Sequence, residues 1–295
     1  MNNPLIDETD TITKWMNDAL ESKHPPESNF RGHGGFSALG SECLMQLWLD
    51  WHWASTYQHE AKLLRKFDRG HTDEERLKNY LRGAGFEIAD MDPKTGTQIR
   101  FSVPGVEFLS GSIDGAIRGI PELPDDVWAL WECKSMGPST FKQLKKHGLE
   151  AANWKYWTQC HLYMHTSNGL KHCVFMAVNC DSQELYVEIF ELESKIATRA
   201  IDTGKRLLER WDMPPPKVAK TEAFFLCKNF CSHKAVCHRG EPYAVNCRTC
   251  KSMKPNFNGE PKWECQEHGV ELNHEGQVEG CDSWEPITGP LNVLQ

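Results

Sequence analysis

Apolar residues recur at intervals of three and four between residues 37 and 80, with Leu44, Leu47, Trp48 and Trp51 marking one face, and this spacing predicts helix. A second helix is expected to start after Gly70, run through Leu81 and stop at Gly83 and Gly85. The period then shortens. Residues 108–117 and 127–134 read as strands, the second mostly apolar, separated by a turn-rich loop holding Pro121, Pro124 and the pair Asp125-Asp126. Helical spacing returns at about 151–165. Two more strands follow at 173–179 and 185–190, and a helix at about 193–211 ends before Pro214-Pro215-Pro216. Helices, mixed strands, helix, strands and helix, in that order, predict an α/β fold with a mixed-sheet core flanked by helices.

Three stretches divide the chain: a lead-in over residues 1–36 that ends in the Gly-rich Arg31-Gly32-His33-Gly34-Gly35, a core domain over 37–240, and a cysteine-rich extension over 241–295. The mean hydropathy is −0.57, and no run of eighteen apolar residues exists, so no membrane span is expected. The polar, acidic N-terminus lacks the apolar core of a secretory leader, which makes a cytoplasmic location the expectation. Twelve cysteines in such a setting should be thiols rather than a disulfide framework. Seven of them fall after residue 226, a crowding that points to bound metal. The net charge of −8 speaks against a nucleic-acid partner only until it is divided. Residues 241–295 carry nine acids against four Lys/Arg, so the rest of the chain is close to neutral and has room for basic patches.

The chemistry gathers around Asp114 on one predicted strand and Glu132 and Lys134 on the next. Residues two apart on a strand share a face. Two acids there suit a divalent cation, and a neighbouring lysine can orient a water, which together make a kit for phosphodiester hydrolysis. An acid two residues before a lysine recurs five times elsewhere, as at Glu21/Lys23 and Glu260/Lys262, always in polar or helical context. Only the 132/134 copy interrupts an apolar strand, Val-Trp-Ala-Leu-Trp, where a charged pair is costly without a task. His71 and Glu74 lie one turn apart on a predicted helix, with Glu75 as an alternative to Glu74, and Gln159 and Tyr163 are spaced i, i+4 on another. Between residues 137 and 155, Lys142, Lys145, Lys146 and Lys155 outnumber the one acid, Glu150. Interleaved with Trp154, Tyr156 and Trp157, they suit a DNA backbone and unstacked bases.

Taken in order, Gly70-His71-x-x-Glu74, Gly111-Ser112-Ile113-Asp114-Gly115, Glu132-Cys133-Lys134 and Gln159-x-x-x-Tyr163 resemble the PD-(D/E)xK nuclease superfamily, over roughly residues 37–212. The closer resemblance is to its RecB-like branch, which includes phage and CRISPR-associated exonucleases. It implies a restriction-endonuclease-like core in which Asp114 and Glu132 coordinate Mg²⁺ or Mn²⁺ with the Cys133 carbonyl. Glu74 would complete the metal shell with His71 as a further candidate ligand, and Lys134 would position the attacking water. Gln159 and Tyr163 would brace the site and touch the substrate strand.

Several RecB-like nucleases clasp a four-iron cluster with one N-terminal and three C-terminal cysteines. By that resemblance Cys43, Cys227, Cys231 and Cys237 form a clasp closing the core domain. The first two of the trio are separated by three residues where the family has two. Zinc is the competing metal, with His233, His238 and His52 as further donors. Independently of the resemblance, Cys247-x2-Cys250 with Cys265 and Cys281 has the spacing of a tetrahedral structural zinc, with His268 and His274 as substitute ligands. That segment is poor in apolar residues, with Trp263 and Trp284 as its candidate mini-core, so metal would supply its folding energy. Cys133, Cys160, Cys173 and Cys180 are expected to be plain buried thiols.

The resulting expectation is a metal-dependent DNA exonuclease of phage or mobile-element recombination or repair, working in the bacterial host cytoplasm if phage-encoded. The alternatives are an endonuclease or nickase with the same residues, a non-catalytic DNA- or protein-binding module, and an adaptor acting through its zinc-bearing tail. An annealing protein or a helicase would suit such a setting as partner, although no residue of this chain speaks for either.

Overall fold

Strands form where the sequence has a period of two and helices where it has three to four, but several boundaries differ from those the pattern predicts. The computed structural model describes residues 4–291. Helix α1 (Pro4–Ser22) leads into β1 (Gly34–Gly35), α2 (Phe36–Leu39), α3 (Leu44–Trp51) and α4 (Ala61–Gly83). Five strands follow: β2 (Glu87–Ala89), β3 (Arg100–Val103), β4 (Val106–Ser112), β5 (Gly115–Arg118) and β6 (Ala129–Met136). Helices α5 (Pro138–Ala152) and α6 (Trp154–Thr166) connect β6 to β7 (His172–Asn179), and β8 (Leu185–Glu191) and α7 (Ser194–Glu209) come next. The C-terminal part holds α8 (Phe225–Phe230), β9 (Met253–Asn256), β10 (Lys262–Cys265), β11 (Val270–Glu271) and α9 (His274–Glu279). No described helix is long and apolar enough to cross a membrane.

The main sheet has the order β2-β5-β6-β7-β8, antiparallel except for the central β6–β7 pair. That pair is parallel because α5 and α6 carry the chain back over one face, the long crossover that parallel neighbours require. Leu130 and Met136 of β6 enter the larger core under α5, α6 and α7, while Trp131 and Cys133 pack with Leu77 of α4 on the opposite face. Glu132 and Lys134, in phase with Leu130 and Met136, therefore face the α6 side. A smaller sheet, β1-β4-β3, stands beside the main one and shares its core.

Four expectations need correction. Helix α4 does not start after Gly70 but runs through it from Ala61. Gly70 costs a helix interior about 1 kcal/mol relative to Ala, and ion pairs from Arg69 and Arg76 to Asp73 span this stretch. The strand expected at 108–117 is two strands in different sheets, parted at Ile113-Asp114. A full helix, α5, precedes the one expected at 151–165. The lead-in is also structured: α1 packs on α4, and Gly34-Gly35 pairs in parallel with Leu109-Ser110 of β4.

The cysteine-rich segment is bound into the rest of the protein rather than suspended from it. Its strands form their own sheet, β11-β10-β9. Trp263 does not build a mini-core with Trp284; together with Met253 it joins the main core, its ring 6.0 Å from Phe108 and 5.3 Å from Trp211.

Helix α7 crosses β4 with no space for a side chain between them: a Cβ on Gly204 would lie 2.9 Å from Leu109 Cδ1 and 3.1 Å from Leu39 Cδ2. Gly204→Val is expected to destabilise the protein by about 1–3 kcal/mol through overpacking. A urea melt checks this, and an unchanged midpoint would mean that α7 and β4 can separate without cost.

Candidate active site

Strand β5 pairs with β6 only as far as Gly115 opposite Trp131. One residue earlier the chain has left for the other sheet, where Ile113 N–H donates to Ile99 O at 3.0 Å. The β6 edge beyond Trp131 thus loses its neighbour, and its Cys133 N–H needs an acceptor. Asp114 Oδ2 provides it at 2.9 Å. The break that ends one strand also fixes the carboxylate beside Glu132 and Lys134.

Lys134 Nζ donates to Glu132 Oε1 and, at 3.1 Å, to Cys133 O, and lies 3.8 Å from Asp114 Oδ2. It also sits over the Tyr156 ring, 5.3 Å from its centroid. Glu132 is 1% exposed. Burial first, and then the Asp114 charge, pushes its carboxyl up to about 8 in spite of Lys134. Burial works to lower Lys134, but Glu132 and Asp114 outweigh it and hold the ammonium well above its ordinary value. Glu74 is raised too, by burial and by Asp114, with Lys78 opposing. Both candidate glutamates pair with the buried Lys78, Glu74 at 3.1 Å and Glu75 at 2.5 Å, but Glu74 is half-buried and feels Asp114, whereas Glu75 is exposed.

Gln159 and Tyr163 act together from α6. Gln159 Nε2 donates to Tyr163 Oη at 3.3 Å, and Tyr163 Oη donates to Ser112 O at 2.6 Å, two residues before Asp114. Tyr163 is 3% exposed and packs against Gly111 and Phe36. Its hydroxyl is thus committed to the backbone, where it supports the Asp114 turn. Two residues the pattern does not single out complete the frame. Buried Asp73 accepts from Arg69, Arg76 and Ser135 Oγ, the last at 2.7 Å, and ties α4 to β6. Lys78 bridges Glu74, Glu75 and Asp90. Only the adjacency of Asp73 to Glu74 and the i, i+4 spacing of Glu74 and Lys78 were available as signals.

A cleft of about 530 Å³ opens nearby, lined by Arg31 and Lys155, by Asp50 and Asp68, by His33 and His71, and by Trp53, Tyr57 and Phe67 among its rings. Of the expected DNA contacts, Lys155 lines this cleft and Tyr156 sits under Lys134. Trp154 is exposed at the start of α6. Lys142, Lys145 and Lys146 lie on the outer face of α5, with Lys145 paired to Glu184, and none of the three lines the cleft. His71 faces the cleft from α4. The Gly-rich stretch at 31–35 was the only sequence signal for the cleft wall.

The cysteines come together in two fours. Cys43, Cys227, Cys231 and Cys237 line one small cavity with His238, and Cys247, Cys250, Cys265 and Cys281 line another. All are free thiols, and among the described residues no group of three or more His, Cys, Asp or Glu is so arranged that it could hold a metal ion as it stands. Cys43 Sγ also caps α3, accepting from Gln46 N–H at 3.3 Å. His233 and His52 are engaged elsewhere. His233 bonds Asp50 and Ser55, and His52 stacks between Trp48 and Trp211. His274 is likewise taken by Phe30 O, while His268 lies 3.6 Å from Cys281 Sγ. Of the scattered cysteines, Cys133, Cys160 and Cys173 are buried and Cys180 half-buried.

No protein-family model matches the chain, and no curated protein does. Among solved structures it is similar to the alkaline exonuclease LHK-Exo of Laribacter hongkongensis, at 15% identity and a TM-score of 0.43, over 63% of this chain and 92% of that one. The complex of LHK-Exo with dAMP matches at 13% identity with the same TM-score, over 64% and 92%. The protein SSO0001 matches at 13% identity and a TM-score of 0.43, over 76% and 97%. Likenesses this distant decide neither fold nor activity, which rest on the geometry above.

Tyr163→Phe removes the donor to Ser112 O in a buried setting and is expected to cost about 1–3 kcal/mol of stability. A denaturant melt beside wild type checks it, and an unchanged midpoint would show that the Asp114 turn stands without this brace.

Proposed function

We propose that this chain is a metal-dependent DNA nuclease of the RecB-like PD-(D/E)xK type, hydrolysing phosphodiester bonds at Asp114, Glu132, Lys134 and Glu74. The observation that carries this reading is the pooling of Asp114 and Glu132 about Lys134 where β5 and β6 part, with Glu74 close enough to feel the Asp114 charge. Carboxyls held above their ordinary range by burial and by one another are stabilised by added positive charge. Their all-oxygen donor set fits a hard divalent cation such as Mg²⁺ or Mn²⁺, with the Cys133 carbonyl on the same edge. When bound, such a cation supplies charge stabilisation at the phosphate and a more acidic water.

The remaining work falls to the chain. Lys134 is held above its ordinary value by its carboxylate neighbours, which favour the ammonium form. It therefore orients a water and offsets negative charge developing on the phosphate, and does not act as the base. Asp114 keeps one oxygen on Cys133 N–H, which fixes the direction of the other. The cleft offers cations for phosphates and rings for unstacked bases beside that centre. By the resemblance of the four ordered motifs, the finer reading is an exonuclease of phage or mobile-element recombination or repair, with an endonuclease as the alternative.

The deciding assay is Mg²⁺- or Mn²⁺-dependent digestion of end-labelled linear DNA against covalently closed circles, wild type beside Lys134→Ala. Loss of linear DNA alone is expected, and the substitution should lower it by on the order of 10²–10³-fold. DNA binding should persist, since it rests on phosphate contacts. Cutting of closed circles would turn the reading to an endonuclease, and cutting that survives the substitution would misplace the site. Glu74→Gln should impair cleavage while Glu75→Gln leaves it near wild type; the reverse result would exchange their roles. Because Glu74 and Glu132 are raised, protons compete with the cation as pH falls. The Mg²⁺ concentration for half-maximal rate should therefore climb between pH 9 and pH 6.5, and a flat profile would remove these carboxylates from the cation site.

A further inference from the structure

The four-cysteine segment reaches the cleft through several side chains, of which Arg248 makes the most contacts. Arg248 stands in the turn between Cys247 and Cys250 and is 1% exposed. Its guanidinium is sandwiched between Trp53 and Trp263, 3.7 Å and 4.0 Å from the ring centroids. Its hydrogen bonds all go to neutral oxygens. Nε donates to Gln277 Oε1 at 2.9 Å, Nη1 to Trp51 O at 3.2 Å and Arg31 O at 3.3 Å, and Nη2 to Gly32 O at 3.3 Å. Arg31, Trp51 and Trp53 line the cleft.

The neighbouring contacts repeat the pattern. His274 Nε2 bonds Phe30 O at 2.9 Å, and Trp53 Nε1 donates to Arg31 O at 3.0 Å. Trp53 itself sits at φ 51°. A bulky residue reaches that left-handed region only under strain, and so depends on neighbours that hold it there. Arg248 is in turn placed by its own turn, where Asn246 Oδ1 accepts from Arg248 N at 2.9 Å and Thr249 N at 3.2 Å. The cysteines that bound this turn share a cavity of about 10 Å³ with Cys265 at the end of β10 and with Cys281. That is space for one small body, and four free cysteines from three separate stretches of chain line it beside Met253, Gly280 and Trp284.

We propose that Cys247, Cys250, Cys265 and Cys281 bind one structural Zn²⁺, and that this ion anchors the Arg248 turn and thereby holds the Arg31–Gly32 wall of the cleft in place. Four thiols release four protons and become the four ligands of a closed tetrahedral site. The ion joins the turn to β10 and to the stretch around Cys281, so Arg248 has a fixed base from which to grip three carbonyls. Arg248 is a positioning residue. Its effect on nucleic acid rests on the nuclease reading, whereas the zinc and its hold on residues 31–32 do not.

The test uses the full chain purified without chelator, with zinc and iron measured per chain and amide exchange followed by mass spectrometry. Cys250→Ser/Cys265→Ser is expected to carry one zinc fewer than wild type with iron unchanged, and to exchange its amides at residues 30–35 about tenfold faster or more while β7 stays protected. Equal zinc in the two proteins, or a loss of iron in its place, overturns the site. Arg248→Lys keeps the charge but lacks the fork that reaches three carbonyls. It should retain its zinc yet loosen residues 30–35 in the same way, and unchanged exchange there overturns the coupling whether or not the cysteine variant folds. A short single-stranded oligonucleotide separates the two readings. Weaker binding by Arg248→Lys than by wild type supports both, and no binding by wild type defeats the nuclease reading while the zinc and exchange results stand.

Discussion

The site depends on where one β-ladder stops. Beyond the Gly115–Trp131 pair the chain on the β5 side has passed to the smaller sheet, and an amide of β6 is left facing an apolar interior. An unpaired N–H there costs as much as a lost hydrogen bond, so the acceptor that arrives must be firm. A carboxylate is a strong one, and Asp114 is the residue at the break. The negative charge that satisfies the backbone is the same charge that raises Glu132 and Glu74 and pins Lys134. Architecture and electrostatics at this point have a single cause.

Burying such a group of charges is expensive, and the fold offsets the cost by connecting every member. Lys134 has Glu132, Asp114, a carbonyl and an aromatic face; Lys78 has three carboxylates; Asp73 has two arginines and a serine hydroxyl. The excess of negative charge next to Asp114 is what remains uncompensated. Strained electrostatics of this kind collect at functional sites. Rigid support surrounds it, from the Tyr163–Ser112 bond on one side and the Asp73–Ser135 bond on the other.

The C-terminal segment follows a different logic. A guanidinium without a carboxylate would be a poor choice for a core. Between two indoles and three carbonyls it becomes a clamp, because its planar fork can grip several separate strands of backbone at once. The segment thereby helps build the cleft wall instead of hanging beside it, and its Trp263 belongs to the main core.

Local pattern and spacing were enough to read most helices and strands, the shared face of Glu132 and Lys134, the i, i+4 pairing of Gln159 with Tyr163, and the group Cys247, Cys250, Cys265 and Cys281, because each depends on residues close in sequence or on a strong chemical type. The grouping of Cys43 with the later trio came from the family resemblance. The start of α4 was misread because Gly70 is a local signal, and the helix around it is sustained by tertiary contacts that outweigh its propensity. The strand break at Asp114 was invisible for a similar reason: residues 108–117 alternate well enough to be one strand, and only competition between two sheets for the same chain divides them. Nothing in the string marks Arg248, whose partners lie some two hundred positions away, and the cleft is assembled from segments with no shared pattern. Sequence by itself pointed to the side chains suited to the chemistry and, Asp114 apart, to the element on which each one rides. Tertiary structure decided which carboxylates are buried together, because burial and sheet partition are properties of distant packing that no local period records.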